Sequence, residues 1–149
     1  MATIAWRKLY GAWPKPWELA CIFLHDVGHI GTNFWDNPEE KLDHWRLGAE
    51  IADFLFGVEG YLLCAGHEPC SGCKQSKLYL ADRHARLWAP TLLLLWDRFA
   101  DHELRRAQPG WFLGIRRFRE HLQESINRGE FISNHEIYLK MLEERDETA

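Results

Sequence analysis

The chain has little of several things, and each scarcity removes a class of protein. Its apolar runs, such as Leu92 to Trp96, stop far short of the roughly 20 residues a membrane-spanning helix needs. No signal-peptide core follows Arg7 and Lys8, because Pro14, Lys15, Pro16 and Glu18 interrupt the segment. A cytoplasmic protein without membrane partners is therefore expected. There is no surplus of positive charge: the formal net charge is -4, which argues against a nucleic-acid polymer as partner. Four cysteines without an export signal read as thiols or ligands, not as a disulfide framework. No stretch alternates at period two, no segment repeats, and no linker divides the 149 residues. One all-α domain over residues 1–149 is the expectation.

What is present points to helices. A short helix and an extended lead-in are expected over residues 1–16, then a helix from about Trp17 to Val27, with Pro16 in its first turn and Gly28 and Gly31 ending it. Residues 32–38 read as a loop. A helix from about 38 to Phe56 follows from Trp45, Ala49, Ala52 and Phe56, spaced three to four apart. Further helices are expected over about 61–65, 76–87, 90–107, 111–128 and 135–144. Eight tryptophans imply either a heavily aromatic core or an exposed apolar face used for pairing.

Chemistry-bearing residues fall in a series. His25 and Asp26 end the apolar stretch Leu19 to Leu24, and His44, His67 and Asp82 follow at 18, 41 and 56 residues beyond Asp26. Histidine nitrogen and carboxylate oxygen are donors for zinc, iron, manganese and similar ions. Successive helical residues stand about 100° apart, so His25 and Asp26 cannot share one helical face. They can both serve a site lying between helices.

These residues resemble the HD-domain superfamily of metal-dependent phosphohydrolases. The resemblance covers about residues 18–88: Leu24-His25-Asp26-Val27-Gly28-His29, His44 to Ala52, Gly66-His67-Glu68, and Ser76 to Arg83. It implies a helical bundle with the metal site between central helices, completed by helices over 90–145. His25, Asp26, His44, His67 and Asp82 would hold one or two divalent transition ions (Fe, Mn, Zn, Co or Ni), and Asp26 would bridge a pair. The implied activity is hydrolysis of a small phosphate ester or anhydride by a metal-activated water, with Asp26, His29 and Arg83 as catalytic residues. A histidine, whose side chain ordinarily titrates near ~6.5, can give a proton to a leaving oxygen, and His29 is the candidate for that role. Arg83, and less so Lys77, are placed to bind phosphate oxygens. A nucleotide or dinucleotide is the expected substrate, with Trp35 and Trp45 available to stack a base.

The chain departs from the family in two respects. Residues 1–24 hold no histidine where the family carries one. Glu18, two helical turns before His25, is placed to substitute; otherwise the site is one ligand short, or the chain begins inside a longer protein. Where many dinuclear members have a second histidine, this chain has Gly66. The alternatives are a di-iron oxygenase with similar ligands, or a silent metal-binding module. A rival site is Cys64-x2-His67-x2-Cys70-x2-Cys73, four zinc-type ligands in a run tight enough to strain the backbone. The basic helix with Arg116, Arg117, Arg119 and Arg128 is balanced by Glu120, Glu124 and Glu130 and reads as solvated. Apolar burial is worth about 25 cal/mol per Å². The stripes through Leu92, Leu95, Trp96 and Phe99, and through Trp111, Phe112, Ile115 and Phe118, are therefore expected to support a homodimer.

Overall fold

The computed structural model describes residues 1–30, 43–68, 71–100, 111–130 and 134–147. Those residues form helices and turns, with no strand among them. In chain order the helices are α1 (Ala2–Tyr10), α2 (Pro16–Leu24), α3 (His44–Phe56), α4 (Val58–Ala65), α5 (Lys77–Arg83), α6 (Ala85–Trp88), α7 (Thr91–Ala100), α8 (Trp111–Arg128) and α9 (Asn134–Glu147), with a 3-10 turn at Val27–His29. None is long and apolar enough to cross a membrane. The loop expected over 32–38 and the end of the helix expected to reach 107 lie outside the described residues.

Three boundaries differ from the periodicity. The helix expected from Tyr61 begins at Val58 and runs through Gly60. The helix expected to reach Val27 stops at Leu24, and the chain turns through Asp26 (φ −101°, ψ 8°) into the 3-10 turn. The single helix expected over 76–87 is two. At His84 both the backbone N–H (3.0 Å) and ring Nδ1 (2.8 Å) lie against the Leu80 carbonyl, and a new helix starts at Ala85.

Contacts gather into two compact units, Met1–Trp88 and Ala89–Ala149. The first is built on small residues. Ala49, Ala52, Ala65 and Ala81 have no exposed surface, and Trp6, Cys21, Ile22, Trp45, Leu63, Cys64 and Leu78 fill the space between the helices. The tryptophans divide between the two expected roles: Trp6 and Trp45 are buried, whereas Trp13 and Trp96 are mostly exposed. Helix α1 lies along α5, where the Tyr10 hydroxyl donates to the Lys77 carbonyl (2.9 Å) and Lys77 Nζ sits over the Trp6 and Tyr10 rings.

Two glycines set how closely α3 approaches the end of α2. A Cβ on Gly48 would stand 2.2 Å from the Leu24 carbonyl oxygen, and one on Gly28 would stand 2.0 Å from that of His44. Both distances are far inside van der Waals contact. Only glycine allows α2, the 3-10 turn and α3 to close on one another here, and Gly28 ends no helix: it is the contact itself. Ser76 ties a third segment in. Its hydroxyl donates to the Leu63 carbonyl (2.8 Å) near the end of α4 and accepts from the Leu78 N–H (3.2 Å) as the cap of α5.

The second unit packs larger side chains. Leu94, Ile115, Phe118, Leu122, Ile137, Tyr138 and Met141 are buried, with the Phe118 and Tyr138 rings stacked at 5.3 Å. Arg119 reaches inward to the Ala89 carbonyl, while Arg116 and Arg128 pair with Glu120 and Glu124 on the surface. Along α7 Leu94 is buried, whereas Leu92 and Trp96, of the stripe expected to support pairing, are exposed. The side chains of Phe99, Trp111 and Phe112 lie outside the described set.

Candidate metal centre

The end of α2 explains how adjacent residues serve one site. His25 is the last residue with helical backbone, and Asp26 has already left the helix, so the usual 100° offset no longer separates their side chains. His25 Nε2 stands 3.1 Å from Asp26 Oδ2 and 3.5 Å from Asp82 Oδ1 on α5. His44, the first residue of α3, places its Nε2 3.3 Å from His67 Nε2, just beyond the end of α4. Four separate segments thus deliver His25–Asp26, His44, His67 and Asp82 to one place.

The tautomers favour metal binding. His25 Nδ1 lies 2.7 Å from the Ile22 carbonyl, and His67 Nδ1 is bonded to the Cys64 carbonyl. A neutral imidazole that donates from Nδ1 leaves its lone pair on Nε2, and a backbone acceptor behind the ring is the usual support for a metal-ligating histidine. Both Nε2 atoms face the cluster. His25 Nε2 is buried and makes no well-formed hydrogen bond despite the two carboxylates beside it. Such an orphaned donor atom needs a compensating partner, and a cation among the carboxylates supplies one.

Spacing agrees. In the chain alone, His44 and His67 share an N–H···N bond. Two nitrogens each about 2.0–2.1 Å from one tetrahedral ion also stand about 3.3 Å apart.

Three groups of potential ligands have their donor atoms within 4.8 Å of one another: His25, Asp26 and His67; Asp26, His29 and His44; and His44, His67 and Glu68. Asp82 enters none of the three and reaches the cluster through His25 alone, at 3.5 Å. Asp26 belongs to two of them and is half-exposed, so the cluster has an open side. His25, His44 and His67 are buried. Glu68 is the residue that sequence reasoning passed over. It follows His67 directly and comes within 3.8 Å of His44 Nε2, but neighbours in sequence carry no signal of a shared site unless the backbone turns between them.

The electrostatics follow from crowding basic and acidic groups under partial cover. Burial opposes charge on His25, yet the Asp26 and Asp82 carboxylates outweigh it and raise its pKa well above the ordinary value. Burial would push Asp26 and Asp82 upward, but contact with His25, joined by His29 at Asp26, holds both below the usual carboxylate range. Burial, with His25 nearby, lowers His67 and keeps it in its neutral, ligating form.

Other expected residues fall elsewhere. Glu18 Oε2 accepts the Lys15 N–H (2.7 Å) and so caps the start of α2; it enters none of the three ligand groups and does not stand in for the missing histidine. Trp45 is buried against Tyr61 and cannot present its face to a base; Trp35 lies outside the described residues. Arg83 Nη1 bonds the Tyr79 hydroxyl (2.9 Å), and Lys77 points over α1. Cys64 Sγ contacts the Cys21 carbonyl (3.6 Å) inside the core, and no cysteine joins a ligand group among the described residues; Cys70 lies outside them. His67 turns its Nε2 to His44, away from the thiol run.

No family model, curated protein or solved structure matches the chain. The reading of the site therefore rests on its own geometry.

Proposed function

We propose that the Met1–Trp88 unit is an HD-type metal-dependent phosphohydrolase acting on a small phosphate ester or anhydride. The observation that carries the reading is the convergence of His25, Asp26, His44, His67 and Asp82, in the order and local contexts of that family, with His25 and His67 braced from behind by backbone carbonyls. The donor set is imidazole nitrogen and carboxylate oxygen, which fits Fe, Mn, Zn, Co or Ni. An ion held there by these residues would supply Lewis acidity and an activated water for attack on phosphorus at neutral pH.

The chain's own groups do the rest. Asp26 turns Oδ2 to His25 and Oδ1 toward His29 and His67, so one carboxylate spans both sides of the cluster. Its exposed edge is where substrate would arrive. Arg83, the neighbour of Asp82 on α5, is the cation proposed to hold phosphate oxygens, because its planar fork matches two of them; to do so it would leave the Tyr79 hydroxyl that it bonds in the chain alone. A nucleotide remains the first substrate to try.

Protein purified without a histidine tag should contain stoichiometric metal that is lost on Asp26→Ala. A panel of nucleotides and simple phosphate esters with Mn, Co or Fe added should show turnover that Asp26→Ala abolishes. Oxygen consumption by the iron form in place of hydrolysis would favour the oxygenase reading, and metal without turnover the silent module.

A further inference from the structure

We infer that His29 is a metal ligand of this centre, forming a second subsite with Asp26 and His44, and is not a proton donor to the leaving group. The inference rests on the metal-centre reading above. Among residues 1–24 no side chain joins a ligand group, since Glu18 is used to cap α2, so a further ligand would come from the residues around the cluster itself.

His29 is held where that ligand would be useful. Its Nε2 is 3.4 Å from Asp26 Oδ1, and its ring stacks on His44 with centroids 4.2 Å apart and planes 21° from parallel. Donor atoms of Asp26, His29 and His44 all fall within 4.8 Å of one another. Asp26 divides its oxygens accordingly: Oδ2 lies 3.1 Å from His25, and Oδ1 faces His29. A carboxylate with a histidine at each oxygen is disposed to join two ions.

The placement is built into the fold. The 3-10 turn closes through the His29 N–H to the Asp26 carbonyl (2.9 Å) and the Ile30 N–H to the Val27 carbonyl (3.1 Å). It is pressed onto α3 by Gly28, where any Cβ would meet the His44 carbonyl oxygen at 2.0 Å. A proton donor for a departing group should face the open side of the site. His29 instead lies flat on a ligand histidine and against a ligand carboxylate, with less than a third of its side chain exposed.

The test is Co²⁺ binding to the chelated full chain, read by metal content after gel filtration and by visible absorption. Wild type should take two ions per chain. His29→Ala should take one and keep its helical circular dichroism, and His29→Glu, which restores a ligand atom, should recover the second. His29→Gln should also take one, which covers any disturbance of the turn by alanine. A His29→Ala protein that still takes two ions, with turnover lost, overturns the inference and restores the proton donor. A wild type that takes one ion, matched by His29→Ala, also overturns it. A wild type that takes none removes the metal centre itself, a failure distinct from either.

Discussion

The two compact units solve the same packing problem in opposite ways. Between Met1 and Trp88 the helices meet through alanine and glycine, so backbones come close and polar side chains at helix ends converge. Between Ala89 and Ala149 they meet through leucine, isoleucine, phenylalanine and methionine, with Arg116 and Arg128 paired to glutamates on the surface. Three groups of potential metal ligands occur in the first unit and none in the second, among the described residues. Close backbone approach is what makes the site. Large side chains stabilise a helix pair, but they cannot bring four helix ends to within ligand distance of one centre.

The contrast can be broken most forcefully in the second unit. Phe118 is buried and stacked on Tyr138, so Phe118→Ala should cost about 3–5 kcal/mol in urea unfolding. Metal content should not change, since no ligand group lies among that unit's described residues. Loss of metal in folded Phe118→Ala protein would mean that the two units do not divide labour in this way. Gly48→Ala tests the opposite side with a smaller change. One methyl group 2.2 Å from the Leu24 carbonyl must displace α3 from α2, at about 1–3 kcal/mol. Here metal affinity should fall along with stability, although Gly48 is not a ligand. Unchanged affinity would show that the seam does not set ligand spacing.

The smallest effect is with pH, in chelated protein. The folded pKa of His25 is raised above its ordinary 6.5, so its contribution is fully present below about pH 6.5 and is lost as pH rises through the raised value. Asp26 and Asp82 are depressed below 3.8, so theirs is present above about pH 3.8 and lost as pH falls through the folded values. Melting temperature should therefore decline on both sides of that window. Added Co²⁺ should remove the alkaline decline, because it takes His25 without its proton. Melts that are flat with pH in the chelated protein would contradict the ion pairing described at His25.

Much of this was legible in the residues. The apolar spacing of Trp45, Ala49 and Ala52 marks the buried face of α3, and His25, Asp26, His44, His67 and Asp82 stand out by order and context. What periodicity could not reveal is where two distant backbones touch. Gly28 reads as a helix terminator until the His44 carbonyl is seen against it. Glu18 reads as a spare ligand two turns from His25, because sequence does not show that its carboxylate returns to the Lys15 N–H. The roles of His29 and Glu68 depend on local turns just outside helices, where neither a 3.6-residue nor a 2-residue period applies.

The hydrogen bonds from His25 Nδ1 to Ile22 and from His67 Nδ1 to Cys64 each run three residues back along the ligand's own chain. Neither ring waits for a distant partner to set its orientation. The arrival of an ion then requires no search among rotamers or tautomers at these two positions, and little ordering entropy is lost there on capture. For the metal centre proposed above, uptake at this face would then depend on how fast the incoming ion sheds its water shell. Slow-exchanging and fast-exchanging metals would be separated by kinetics before affinity has sorted them.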